Sequence, residues 1–198
     1  MDNKKIYRYP ENLVDINKIN VEPKDNKEYR YLLEIPLKND IKDVSALFIM
    51  KNPSNGNKDQ SDKTLNNIIN FSKSRYSKIY IANLYPFVAS EPKEISGFRK
   101  SEFFKQEIEK NFEVLNDLIS EKGKYNRGKI TDIIYAWGSY TDNSGGKSDF
   151  DKRIKEVEDI VRIGGRRAMA VRFSSSTNPW HPRNWEGNYT LELYEWEG

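Results

Sequence analysis

Residues 44–50 read Val44-Ser-Ala-Leu-Phe-Ile-Met50, a continuous apolar run that ends abruptly at the turn-forming loop Lys51-Asn-Pro-Ser-Asn-Gly56. Apolar runs of this length are typical of strands that are buried on both faces of a parallel sheet. Three further runs have the same character, and they cover residues 78–82, 130–137 and 168–173. We therefore expect a mostly parallel central sheet of about four strands.

Amphipathic segments separate these runs, with apolar residues recurring at helical spacing over residues 62–74, 102–120 and 150–163. Ser61 or Asp62 can cap the first of these helices. Strands that alternate with helices predict right-handed crossovers and an α/β fold with three α/β/α layers. A further strand over residues 29–37 ends at Pro36, which a central strand would not tolerate well. Residues 1–28 are polar and are predicted to form a weakly structured N-terminal extension, followed by a single domain over residues 29–198.

The composition excludes several kinds of site. The 198 residues include no cysteine, so disulfides, thiolate nucleophiles, zinc fingers and iron–sulfur clusters are ruled out. A single histidine argues against a dedicated zinc site, and we expect neither a metal nor a cofactor. Neither an apolar run of membrane-spanning length nor an apolar N-terminal stretch is present. We therefore expect a cytoplasmic monomer with no membrane partner.

The positive charge is unevenly distributed along the chain. Residues 161–185 contain no Asp or Glu but five arginines, namely Arg162, Arg166, Arg167, Arg172 and Arg183. A basic block of this kind favours a partner made of phosphates. The alternative is a solvated segment whose arginines pair with acidic residues elsewhere in the fold.

The only histidine, His181, lies in the turn-forming run of residues 174–185. A histidine on a loop can supply a hydrogen-bond donor that changes charge near neutral pH. The alternative is a surface histidine in a well-ordered turn. Polar groups on the other loops favour a functional histidine over a surface one if they lie close to His181.

Three unusual loops begin at the predicted carboxyl ends of strands, at residues 51–56, 83–87 and 174–185. Ligands of open α/β sheets bind beyond these strand ends, so the loops should line one cleft. They offer asparagines, among them Asn52 and Asn83, a histidine, aromatic rings and an arginine, which suit recognition of a flipped-out base and cleavage of its glycosidic bond. Gly145-Gly-Lys-Ser148 lacks the first glycine of a phosphate-binding loop, and neither a nucleophile elbow nor the paired carboxylates of a glycosidase are present.

Four short motifs follow these strands in order: Asn52-Pro-Ser54, Asn83-Leu-Tyr-Pro86, Trp137-Gly138 and His181-Pro182. Together they resemble the ordered motifs of the uracil-DNA glycosylase superfamily. More closely, they resemble a bacterial family known only as domain of unknown function 1643. The resemblance implies an enzyme of the bacterial cytosol that excises uracil from single- or double-stranded DNA by hydrolysing its N-glycosidic bond.

The resemblance also implies roles for individual residues. Asn52 would position the attacking water, His181 would stabilise the uracil anion, and Asn83 would pair with the edge of uracil. Further substrate contacts are expected from Lys51, Pro53, Ser54, Tyr85 and Phe87, and DNA contacts from Ser175, Ser176, Trp180, Arg183, Asn184 and Trp185. The ring that stacks on the base is expected among Tyr85, Phe87 and Phe71, although a core position suits Phe71 equally well.

Two departures from the superfamily pattern leave alternatives open. The first loop lacks the aromatic residue that excludes thymine, and Arg183 replaces the usual serine after His-Pro. The chain could therefore excise another or a modified pyrimidine. It could also be a nucleic-acid-binding protein of the same fold without catalysis, in which Asn52 marks lost chemistry.

Overall fold

A computed structural model describes residues 7–89, 97–99, 102–120, 130–140, 146–171, 178–185, 187 and 189–194. In it, one seven-stranded sheet has the order β1-β2-β4-β3-β5-β6-β7. The strands are β1 (Asn20–Glu22), β2 (Leu32–Pro36), β3 (Ser45–Met50), β4 (Lys78–Asn83), β5 (Ile130–Tyr135), β6 (Ala168–Ala170) and β7 (Glu192–Leu193).

The four central strands β4, β3, β5 and β6 are parallel, which confirms the parallel core of the predicted sheet. The predicted size of about four strands is wrong, because β1 and β2 extend one edge and β7 extends the other, all by antiparallel pairing. The outermost strands β1 and β7 are only two or three residues long and mostly polar. Strands this short carry no apolar run or alternation that a sequence pattern could reveal.

Pro36 ends β2, as its lack of a backbone N–H requires. Residues 33–36 pair with β4, whereas β1 reaches only Leu32 to Glu34. The proline therefore lies beyond the part of β2 that is paired on both sides.

In the part of the chain that the structure describes, three long helices cover the sheet: α1 (Lys63–Ser72), α2 (Phe104–Ile119) and α3 (Lys147–Ile163). Asp62 caps α1, because its Oδ1 accepts a hydrogen bond from the Leu65 N–H at 2.9 Å. The apolar residues of α1 pack in one core cluster, and those of α2 and α3 pack in a second cluster that includes alternate residues of the same strands. Because α1 packs on one face of the sheet and α2 and α3 pack on the other, the elements form the predicted α/β/α layers.

The segment before β2 contributes to the same sheet. Besides β1, it supplies Tyr9 and Val14, which are 6% and 0% exposed and lie in the core cluster under α1. Residues 7–28, which the polar composition predicts to be a weak extension, thus pack against the domain. Isolated apolar residues such as these two lack the periodicity that identifies a packed element.

Candidate functional site

The loops that follow β3 and β4 are joined by hydrogen bonds at the carboxyl edge of the sheet. The last residues of the two strands, Met50 and Asn83, are paired in register. Beyond them the Tyr85 N–H donates to the Lys51 carbonyl at 2.9 Å, and the Ala89 N–H donates to the Pro53 carbonyl at 3.2 Å. The first two predicted loops therefore converge.

His181 is held at the same edge between β5 and α1. It packs on Gly138, which follows β5 and has a positive φ of 72°. The next three residues, Pro182–Asn184, form a 3-10 turn, and Asn67 of α1 donates to the Pro182 carbonyl at 2.8 Å. These contacts fix the histidine beside the ends of the central strands.

The environment of His181 keeps its imidazole neutral. The pKa of His181 is lowered to about 4, mainly by burial and to a lesser extent by the positive charges of Arg183 and Lys51, while Asp62 acts in the opposite direction. The Arg183 N–H donates to Nδ1 at 3.2 Å. A neutral imidazole that accepts at Nδ1 carries its proton on Nε2, so His181 can donate a hydrogen bond from Nε2 at neutral pH.

The side-chain amide of Asn52 is anchored to the neighbouring loop. Its Nδ2 donates to the Ala89 carbonyl at 2.8 Å and to the Pro53 carbonyl at 3.1 Å. Both donor hydrogens are used in this way, which leaves Oδ1 as the atom that can accept a hydrogen bond from water.

Asn83 is fully buried at the end of β4. Within the described part of the chain, neither its Nδ2 nor its Oδ1 has a hydrogen-bond partner. Strand alternation places the side chain on the face of Ile79 and Ile81, which α1 covers. Its backbone carbonyl accepts a hydrogen bond from Asn111 of α2 at 2.8 Å. Buried amides are normally satisfied, so this one is suited to a partner from outside the chain.

Other buried polar atoms without a partner among the described residues collect at the same edge. They belong to Arg30 (Nε and Nη2), Ser54 (Oγ), Asn111 (Oδ1), Trp137 (Nε1) and Tyr140 (the hydroxyl). Sequence reasoning missed Arg30, Asn111 and Tyr140 as candidates. Arg30 precedes β2 by two residues and is held by contacts far away in sequence, and Asn111 is one polar residue on a mixed-charge helix, so neither carries a signal in the sequence alone.

Several predicted substrate contacts belong to the core on the α2 and α3 side. Phe87 is 3% exposed and stacks on Phe98 with ring centroids 4.5 Å apart. Tyr85 is fully buried, and its hydroxyl donates to the Asp149 carboxylate at 2.7 Å. Lys51 is also buried, with Nζ 5.3 Å from the centre of the Tyr140 ring. Tyr85 and Phe87 are therefore packed where they cannot stack on a base without rearrangement.

The remaining predicted substrate contacts lie in the loop after β3, where Pro53 is buried and Ser54 is half-buried. Phe71, the third candidate stacking ring, is 8% exposed and packs on Trp185 with ring centroids 5.2 Å apart. It is a core residue of α1.

The predicted DNA contacts divide into exposed and buried residues. Arg183 and Asn184 are exposed on the turn after His181, and Trp180 is half-buried. Trp185, by contrast, is 5% exposed, packs among core rings and donates from Nε1 to the Trp180 carbonyl at 3.2 Å. Its large apolar ring is better satisfied in the core than at the surface. Ser175 and Ser176 lie outside the described residues.

The acid-free arginine block does not form one surface. Helix α3 returns from the carboxyl edge of the parallel strands to their amino edge, so Arg162, Arg166 and Arg167 lie opposite His181. Arg166 donates to the backbone carbonyls of Ile130 and Thr131, at the start of β5. Arg183 is at the carboxyl edge, and Arg172 is outside the described residues.

Chemically, this edge combines a neutral imidazole donor, an anchored amide and a buried amide that lacks partners. Among the described residues, no group of three His, Asp or Glu side chains is arranged to hold a metal ion. Within those same ranges, no helix has the length and apolar character needed to cross a membrane.

Comparison with known proteins identifies a family for this chain. The model of the family described as "Protein of unknown function (DUF1643)" matches residues 30–183, which include the first two loops and the third loop as far as Arg183. No curated protein and no solved structure matches the chain. Because the family model spans most of its length, the chain belongs to the DUF1643 family.

Proposed function

We propose that the protein is a DNA glycosylase that flips uracil out of DNA and hydrolyses its N-glycosidic bond. The observation that supports this most is the Asn83 amide, which is buried with a donor and an acceptor that lack partners among the described residues. The edge of uracil offers the complementary pair, since O4 accepts a hydrogen bond and N3–H donates one. A pyrimidine paired with Asn83 would satisfy both atoms.

In this proposal His181 stabilises the leaving group. As the bond between N1 and C1′ breaks, its electron pair moves onto the base and negative charge spreads to O2. A donor on neutral imidazole Nε2 stabilises that charge without first giving up a proton. The low pKa of His181 and the hydrogen bond to Nδ1 both favour this protonation state.

The Oδ1 of Asn52 would accept a hydrogen bond from a water molecule and so orient it for attack on C1′. The proton that this water loses would pass to the departing base or to solvent. An amide cannot accept that proton as a carboxylate would. Catalysis would therefore depend mainly on the stabilisation of the leaving group. Outside the cleft, the exposed Arg183 and Asn184 are the candidate contacts to the DNA backbone.

Cleavage of an end-labelled oligonucleotide tests the proposal. The oligonucleotide carries a single uracil, is used single- and double-stranded, and is treated with alkali after incubation. We expect strand breaks with uracil and none with a matched thymine. His181→Ala should slow the reaction roughly ten- to a thousandfold. Arg162→Ala, at the opposite edge, should cleave at the wild-type rate.

Unchanged activity in His181→Ala would contradict the assigned role of the histidine. Absence of breaks with uracil, together with clean binding of DNA, would contradict the proposed activity. A panel of modified pyrimidines would then separate a glycosylase of different base selectivity from a binding protein without catalysis.

A further inference from the structure

Arg30 lies between the two hydrogen-bonded loops of the site and is almost completely buried. Its backbone N–H donates to the Pro86 carbonyl at 2.7 Å, and its Nη1 donates to the Gly56 carbonyl. The residue is 3% exposed. A guanidinium with no solvent contact needs its hydrogen bonds and its charge satisfied from within the site.

The described residues do not satisfy it. Among the described residues, Nε and Nη2 of Arg30 have no hydrogen-bond partner, and no carboxylate forms an ion pair with its guanidinium. Burial disfavours the charge of Arg30 and the carboxylate of Asp62 favours it, whereas the Tyr9 hydroxyl, whose pKa is raised by burial, is neutral at neutral pH. Both oxygens of Asp62 already accept backbone hydrogen bonds, Oδ1 from Leu65 and Oδ2 from Gly56. Burial lowers the pKa of Arg30 to about 10, so the side chain remains charged at neutral pH.

A second polar group without a hydrogen-bond partner in the described chain lies in the loop after β3, which also contains Gly56. The Oγ of Ser54, two residues before Gly56, is buried and has no hydrogen-bond partner in the described chain. A charged fork of N–H donors together with a hydroxyl is the donor set that binds a phosphate group.

We propose that Arg30 and Ser54 form a subsite for one phosphate group, between the loops that follow β3 and β4. The subsite extends the proposed function, because the phosphate of the nucleotide recognised by Asn83 is one natural occupant. Free inorganic phosphate is the other source of the same chemistry. Because Arg30 is buried, a phosphate reaches it only when the covering loops move.

Calorimetric titration of the full chain tests the subsite without DNA cleavage. Inorganic phosphate is compared with chloride at equal ionic strength, and deoxyuridine monophosphate is compared with deoxyuridine. We expect wild-type protein to bind phosphate. Arg30→Met should weaken that binding roughly ten- to a hundredfold, as expected for the loss of hydrogen bonds from a charged donor. Ser54→Ala should weaken it less, and Arg162→Met should bind as the wild type does.

If deoxyuridine monophosphate binds more tightly than deoxyuridine, and the difference is lost in Arg30→Met, the occupant is the phosphate of the nucleotide. If the nucleotide and the nucleoside bind equally and inorganic phosphate binds, the occupant is free phosphate. Wild-type protein that binds neither phosphate nor the nucleotide would overturn the proposal, as would unchanged binding in Arg30→Met. If Arg30→Met does not fold, Ser54→Ala decides in its place, and unchanged phosphate binding there overturns the proposal. Uracil excision without phosphate binding would refute the subsite alone.

Discussion

His181 packs directly on Gly138, and a Cβ built on this glycine would lie 3.0 Å from the Cβ of His181. The contact joins the loop that carries the histidine to the end of β5. Two features of this position require glycine, and mutation can separate them. One is the positive φ, and the other is the lack of space for a side chain against His181.

Gly138→Ala should displace the His181 loop and lower excision activity about tenfold or more, because a small misplacement of a reacting group is costly. Gly165→Ala is the matched control, since Gly165 has a similar φ of 65° but no atom within 4 Å of a built Cβ. Each variant should lose about 1 kcal/mol of stability from backbone strain. Thermal unfolding and the uracil cleavage assay measure the two effects. Equal losses of activity in the two variants would mean that the contact with His181 is unimportant.

The single histidine allows a direct test of its charge state. Because burial lowers the pKa of His181 to about 4, the unfolded chain binds more protons than the folded one between that value and about pH 6.5. Stability should therefore fall as the pH is lowered through this window, by an amount on the order of 1–3 kcal/mol. NMR titration of the one imidazole should give a midpoint near 4 and protonation at Nε2. A midpoint near 6.5 would contradict the lowered pKa and the burial that causes it.

Asn83 and Asn111 are both fully buried asparagines but differ in their hydrogen bonds. Asn83→Leu removes an amide without partners in the described chain, so the free energy of unfolding should be unchanged or higher. Asn111→Leu removes the donor to the Asn83 carbonyl and should cost about 1–3 kcal/mol. Denaturant unfolding measures both. We expect Asn83→Leu to abolish uracil excision while folding normally, and excision at the wild-type rate would exclude a base-reading role.

Asn52→Asp should destabilise the protein more than Asn52→Ala. The aspartate would place a carboxylate where Nδ2 now donates to two carbonyl oxygens, with a cost of about 1–3 kcal/mol. The two carbonyl oxygens raise the pKa of the introduced carboxyl in the folded state, so the penalty should shrink as the pH falls through that raised pKa and should be largely lost near the unfolded value of about 4. Chemical unfolding at pH 7 and pH 4 compares the two variants. A penalty that does not change with pH would contradict the anchoring of the amide.

The parallel core and the carboxyl-edge loops could be predicted because each depends on a local pattern. Buried strands such as Ser45–Met50 read as unbroken apolar runs, and the topology then brings their end loops together. Asn52, Asn83 and His181 were identified in this way.

Which aromatic residues reach the surface could not be predicted. Trp185 and Phe87 lie in proline-containing stretches outside the predicted strands and helices, yet both rings are buried by tertiary contacts with residues far away in sequence. The arginines of residues 161–185 were grouped by sequence position, whereas the crossover of α3 separates them in space. Arg30 was missed because its burial depends on loops that meet only in the folded chain.

The family match begins at residue 30, but the sheet begins ten residues earlier with β1. The segment before the match also holds the loop after β3, since the Tyr9 hydroxyl donates to the Asn57 carbonyl at 2.6 Å and Tyr7 bridges to Ser61. A fragment cut to the matched region would uncover the hydrogen-bonding edge of β2 and the apolar surface beneath Val14, a combination that promotes aggregation. The folding unit is therefore larger than the matched region, and residues 30–183 expressed alone would lack contacts that the sheet and the loop after β3 need.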